Sequence, residues 1–145
     1  MADENKHYDF GKKKLVVELK GWKICPLICY DLRFPVWSRN KQDYDCLIYV
    51  ANWPERRNHP WKTLLMARAI ENISYTIGVN RIGLDGNGIA FSGDSAIIDF
   101  KGEILSNINP HQNAIETITL SHAALKDFRS SFPAWMDADN FEINS

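Results

Sequence analysis

Residues 45–50, Asp45-Cys46-Leu47-Ile48-Tyr49-Val50, and residues 75–80, Tyr75-Thr76-Ile77-Gly78-Val79-Asn80, decide the fold class through what lies between them. Both are short runs rich in β-branched and aromatic residues and bounded by turn formers, which predicts strands. Between them, Trp61, Leu64, Leu65, Ala67, Ala69 and Ile70 recur near helical spacing over residues 60–72. Pro60 fits the first turn of that helix, where its missing donor costs nothing. Working outward, residues 16–19, 24–29, 95–99 and 114–120 read as further strands. Residues 34–40 and 121–128 read as helices, the second opened by Ser121 as N-cap. Strands alternating with helices, then a hairpin-like turn at residues 99–102, predict an α/β protein whose sheet is covered by helices.

The chain has 145 residues, 45% hydrophobic and 12% aromatic, with 17 basic and 18 acidic side chains. That apolar content excludes a disordered chain. The length suits one domain or part of a larger one, and no repeat, low-complexity tract or linker divides it. A net charge of −1 and a pI near 6.4 provide no basic surplus for phosphate backbones or acidic lipid, so neither nucleic acid nor membrane is an expected partner. Nowhere do 18 apolar residues run together, and the polar start of the chain is unlike a signal peptide. Three cysteines without a disulfide-framework spacing fit a reducing compartment, so the expected location is cytoplasmic. Scattered histidines and the lack of a C-x-x-C pair argue against a metal site, and no cofactor is expected. Residues 132–145 read as a tail packed through Trp135 and Phe141.

Chemistry concentrates in Lys23-Ile24-Cys25-Pro26-Leu27-Ile28-Cys29-Tyr30-Asp31-Leu32-Arg33-Phe34-Pro35. An apolar strand delivers Cys29 to its carboxyl end, where a turn leads toward a helix, a common place for catalytic groups in α/β proteins. Cys29 is therefore a candidate nucleophile, whereas Cys25 and Cys46 lie inside apolar strands and read as structural. Pro26 is a puzzle in this strand, because it removes a ladder hydrogen bond unless its nitrogen faces no partner.

The segments Gly21-Trp22-Lys23-Ile24, residues 28–35 around Cys29-Tyr30-Asp31, Ala51-Asn52-Trp53-Pro54, Ala67-Arg68-Ala69-Ile70-Glu71-Asn72 and Gly93-Asp94-Ser95 follow one another in an order that resembles the carbon–nitrogen hydrolases of the nitrilase superfamily. The likeness is greatest to its bacterial omega-amidase type, where Ala-Asn-Trp-Pro and Asn80-Arg81 also recur. The resemblance implies an αββα sandwich, a homodimer, and hydrolysis of a small-molecule amide through a cysteine thioester with release of ammonia. It assigns Cys29 as nucleophile, the backbone N–H of Tyr30 to the oxyanion, and Glu4 to an auxiliary carboxylate. Asn52 and Trp53 then line the acyl pocket, and Arg56 or Arg57 meets the carboxylate of a 2-oxo acid amide. Arg68 and Glu71, three apart on a helix, read as a structural pair.

The family's general-base glutamate and catalytic lysine both precede the segment with which this sequence starts. None of Lys6, Lys12, Lys13 and Lys14 matches the lysine position. Residues 1–145 are thus expected to be the C-terminal part of a single carbon–nitrogen hydrolase domain, with the N-terminal strands and helices of the sandwich absent and with little activity alone. Two other functions compete: a Cys-His hydrolase using His59 or His111, and a non-catalytic interaction module that binds through its sheet edge.

Overall fold

The computed structural model describes residues 6–9, 11 and 13–140. A five-stranded mixed sheet in the order β1-β2-β3-β4-β7 forms its centre. Strands β2 (Trp22–Ile28), β3 (Cys46–Ala51) and β4 (Tyr75–Asn80) are parallel, and β1 (Val17–Leu19) and β7 (Ala96–Ile98) flank them antiparallel. A hairpin of β5 (Ile82–Leu84) and β6 (Ala90–Ser92) stands apart from it. Helix α1 (Pro35–Ser38) is a single turn, α2 (Asn58–Asn72) crosses from β3 to β4, and α3 (His122–Ser131) follows the sheet.

The expected α/β class holds, with β4 at the expected bounds and α2 starting two residues early. Residues 114–120 are a correction, for they form no strand, and Ile115 is fully exposed. Their β-branched residues find no sheet edge to pair with, and propensity without a partner does not make a strand. Helix 34–40 also stops early. Asn40 donates its carboxamide to the carbonyls of Tyr44 and Asn72 while its backbone N–H donates to Asn72 Oδ1, which pulls the chain out of the helix. The unexpected hairpin closes on the turn at residues 85–88, where Asp85 Oδ1 accepts from the N–H groups of Asn87 and Ile89. Ser121 caps α3 as expected, accepting from Ala124 N–H at 3.1 Å.

Pro26 fits because of strand alternation. The carbonyl of Lys23 accepts from Asp45 on the β3 side, so Lys23, Cys25 and Leu27 turn their peptide groups toward β3 and Pro26 turns its nitrogen the other way. There β1 has already ended its pairing, at Val17 opposite Ile24. No ladder bond is lost.

The two faces of the sheet differ. Cys25, Leu27, Leu47 and Tyr49 pack beneath Trp61, Leu65 and Ala69 of α2. On this face Gly78 is a necessity, because a Cβ there would stand 2.4 Å from Leu65 Cδ1 and 2.9 Å from Trp61 Cζ2. The other face consists of three cross-strand rows set by the register. Ile24, Cys46 and Tyr75 form the first, packed near Phe100 and Leu125. Pro26, Ile48 and Ile77 form the second. Ile28, Val50 and Val79 form the third, at the carboxyl ends, and are 68%, 51% and 48% exposed.

Candidate active site at the carboxyl ends of the parallel strands

Cys29 is the first residue of a 3-10 turn, Cys29–Arg33, directly after β2. The expected strand therefore ends one residue short of it, and its backbone takes the left-handed conformation at φ +41. That region is rare for a residue with a Cβ and accumulates at functional sites. Two contacts hold the turn. Asp31 Oδ2 reaches back to accept the N–H of Ile28 at 2.9 Å, and Arg68 on α2 donates Nη2 to the carbonyl of Leu32 at 2.6 Å. Arg68 is itself buried and paired through Nη1 with Glu71 at 3.0 Å. The expected Arg68–Glu71 pair thus exists, and its arginine also fastens the turn that begins at Cys29.

Because β2, β3 and β4 are parallel, Cys29, the Asn52–Trp53 segment and Asn80 all emerge at one end of the sheet. Asn52 is exposed there and Trp53 buried. Trp53 Nε1 donates to the carbonyl of Arg57 at 2.7 Å, and its ring tilts against Trp61 at 5.5 Å. Tyr30 is 44% exposed and stacks edge-on with Phe34. Its N–H lies at the amino end of the turn, where a helix leaves donors without an intrahelical acceptor. Arg56, on the 3-10 turn Glu55–Arg57, lies farther out, lining an open groove of about 480 Å³ with Glu55, Gly88, Ile89 and Ala90. His111 meets Glu55 at 3.2 Å beside the same hairpin. Glu4 lies outside the described residues.

Sequence reasoning missed two residues here. Arg33, at the end of the turn that begins at Cys29, lies over the Trp53 ring at 4.8 Å, and among the described residues its guanidinium meets no hydrogen-bond acceptor. Asn80 brackets Trp53: Oδ1 accepts from Trp53 N–H at 2.7 Å, and Nδ2 donates to the carbonyls of Trp53 and Gly93 at 3.0 and 2.9 Å. Arg33 carried a signal, its position four residues after Cys29. Asn80 was marked only as part of the recurring Asn80-Arg81 segment, and nothing local announced its bond to Trp53 across 27 residues of sequence.

The other two thiols are buried, whereas Cys29 is only partly so. Burial pushes Cys25 up to about 11 and Cys46 up to about 12, so both stay protonated and inert near neutral pH. No two of the cysteines are bridged. Among the described residues no group of three or more His, Cys, Asp or Glu side chains is arranged to hold a metal ion, and no helix is long and apolar enough to cross a membrane.

Known proteins match this geometry and sequence together. The family described as carbon-nitrogen hydrolase matches residues 2–129. Omega-amidase YafV of Escherichia coli K12 is 54% identical over 99% of this chain and 56% of its own length. The 2-oxoglutaramate amidase of Bacillus subtilis is 35% identical over 94% of this chain and 53% of its own. Among solved structures, XC1258 of Xanthomonas campestris, a CN-hydrolase superfamily protein with an arsenic adduct in its active site, superposes with a TM-score of 0.93. It is 47% identical, covering 98% of this chain and 56% of the other. The chain spans about half the length of these relatives.

Proposed function

The chain belongs to the carbon-nitrogen hydrolase family, and on that premise we propose that it carries the nucleophile-bearing part of an omega-amidase. The substrates are small 2-oxo-dicarboxylic acid monoamides such as 2-oxoglutaramate, hydrolysed to the acid and ammonia. The main support is the state of Cys29: a strand-end thiol on a left-handed backbone, in a turn pinned by Asp31 and Arg68, set apart from two buried and inert thiols.

Cys29 Sγ attacks the amide carbonyl carbon, and the electron pair of the C=O bond moves to oxygen. The backbone N–H of Tyr30 donates to that oxyanion. Collapse of the intermediate breaks the C–N bond, the nitrogen leaves as ammonia after protonation, and a thioester remains on Cys29. Water then adds to the thioester and releases the carboxylic acid and the thiol. Asn52 and Trp53 border the acyl group. Three guanidinium groups, those of Arg33, Arg56 and Arg57, are candidates for the substrate's carboxylate. Arg33 is favoured over Arg56 because it adjoins the nucleophile turn and its donors are unoccupied among the described residues.

The general base, which deprotonates the thiol and later the water, and a lysine donor to the oxyanion are assigned to no residue of this chain; Glu4 keeps the auxiliary role. The exposed row of Ile28, Val50 and Val79 supports a domain completed by further chain, since fully burying such side chains contributes roughly 1.5–3 kcal/mol each. In the whole protein this face packs against a second sheet and two copies form a dimer in the cytoplasm. Ammonia release from 2-oxoglutaramate tests these statements. Alone the chain is expected to be at least about 10²-fold slower than the chain joined to an upstream segment bearing the base and the lysine. Equal rates refute the division of the site, and no release by the joined protein refutes the activity.

A further inference from the structure

We propose that Asn80 is a positioning residue for the Cys29 turn, acting through Trp53: its carboxamide fixes the Trp53 backbone, and the Trp53 indole holds Arg33 at the end of that turn. The register of β3 and β4 ends with Ala51 opposite Asn80, followed by one more backbone bond from Arg81 N–H to Ala51 at 3.3 Å. Beyond that point the Asn80 side chain takes the place of a strand. A carboxamide has an acceptor and two donors in one plane, as a peptide edge does, and Asn80 uses all three on Trp53 N–H, Trp53 C=O and Gly93 C=O. Its backbone is secured separately, by Ser95 Oγ, which accepts from Asn80 N–H at 3.0 Å and donates to Asn80 C=O at 3.2 Å.

The bracketed segment has little room to move. Gly93 has φ +77, and a Cβ there would lie 2.8 Å from Ile82 Cγ2. Trp61 Nε1 donates to the carbonyl of Asp94 at 2.8 Å, and Trp61 in turn supports the Trp53 ring. With backbone and indole both fixed, the ring face is a stationary platform for the guanidinium of Arg33 at 4.8 Å. Four residues of 3-10 turn rise about 8 Å, so the backbone that carries this charge starts within a Debye length, about 10 Å at 0.1 M salt, of the Cys29 end of the turn. An anionic reagent approaching Cys29 meets its field.

The test compares alkylation of Cys29 by iodoacetate and iodoacetamide at pH 8, mapped by peptide mass spectrometry. The two reagents share a leaving group and differ in charge, so the ratio of their rates reports the field at the thiol. Cys25 and Cys46, buried and protonated, stay silent. In Asn80→Ala the ratio is expected to fall about two- to fivefold, the range for one unit charge at such a distance in a surface dielectric. Trp53→Ala gives the same fall, and the double variant no more than either single one. Ser95→Ala, which leaves the carboxamide in place, keeps the wild-type ratio. Circular dichroism checks folding, and Asn80→Ser serves if Asn80→Ala does not fold. An unchanged ratio in a folded Asn80 variant overturns the proposal, as does an equal fall in Ser95→Ala or additive falls in the double variant. The proposal rests on Cys29 as an accessible nucleophile. A wild-type Cys29 inert to both reagents defeats both statements, whereas a reactive Cys29 whose ratio ignores Asn80 defeats the positioning role alone.

Discussion

Two arginines at opposite ends of the same parallel strands show how the molecule divides structure from chemistry. At the amino ends, Arg129 of α3 is buried and every side of it is occupied. Nε donates to Ile73 C=O, Nη2 to Tyr44 C=O and Nη1 to Asp45, whose other oxygen accepts from Lys23 N–H and approaches His122 Nε2 at 3.3 Å. Burial lowers the proton affinity of this guanidinium, and Asp45 offsets that loss only in part. At the carboxyl ends, Arg33 is half-buried, supported by a ring face, and lacks an acceptor among the described residues. One end locks α3 to the turns that start β3 and β4. The other leaves a guanidinium resting on a ring face, with no acceptor among the described residues.

Removing Cys29 separates the ends most sharply. In the chain joined to an upstream segment, Cys29→Ala is expected to cut ammonia release at least about 10³-fold, roughly 4 kcal/mol, without moving the urea midpoint downward. Arg129→Met should do the reverse. It strands Asp45 in a buried site, and the urea midpoint should report a loss of about 3 kcal/mol while the ratio of iodoacetate to iodoacetamide alkylation of any folded fraction stays put.

Alkaline pH probes the sealed part of the sheet. The folded thiols of Cys25 and Cys46 are raised to about 11 and 12, so the unfolded chain ionises first, near its ordinary value of about 9, and binds fewer protons than the native one. Their contribution to stability is complete below pH 9 and declines as pH rises to 11 and 12, by about 1.4 kcal/mol per pH unit for each thiol at the steepest. Denaturation series at pH 8, 9 and 10 should show the decline, and Cys25→Ala should reduce its slope. The smallest effect belongs to Arg33→Gln. A side chain held by one ring contact should shift stability by less than about 0.5 kcal/mol, yet lower the alkylation ratio about twofold or more. A large stability loss in this variant would make Arg33 a structural residue like Arg129 and end the contrast.

What the sequence disclosed tracks the reach of each interaction. Strand β4 and helix α2 were legible because their signals, β-branched runs and apolar spacing, are local and agree with the tertiary contacts made later. Cys29 was legible as a strand-end thiol, and the family resemblance gave it a role. Its left-handed backbone was not legible, since nothing local to a cysteine demands φ above zero. The hairpin β5–β6 escaped because three-residue strands carry too short a pattern, and residues 114–120 misled because they have the pattern without a partner. Pro26 shows the same limit: whether its missing donor matters depends on where β1 ends. The roles of Asn80 and Arg33 depend on Trp53 arriving from a different strand, a meeting that sequence order conceals.

Gly78 adds a mechanical consequence. With no Cβ at position 78 of β4, Leu65 and Trp61 of α2 rest directly on backbone there, and the depth of that layer is set by bare peptide rather than by a compressible side chain. The same helix carries Arg68, whose guanidinium reaches across to Leu32 in the turn that begins at Cys29. A methyl group at position 78 would act as a shim, lifting one point of a rigid rod and displacing its load at another. Calibration of the thiol's position thus extends to a residue that presents no functional group at all.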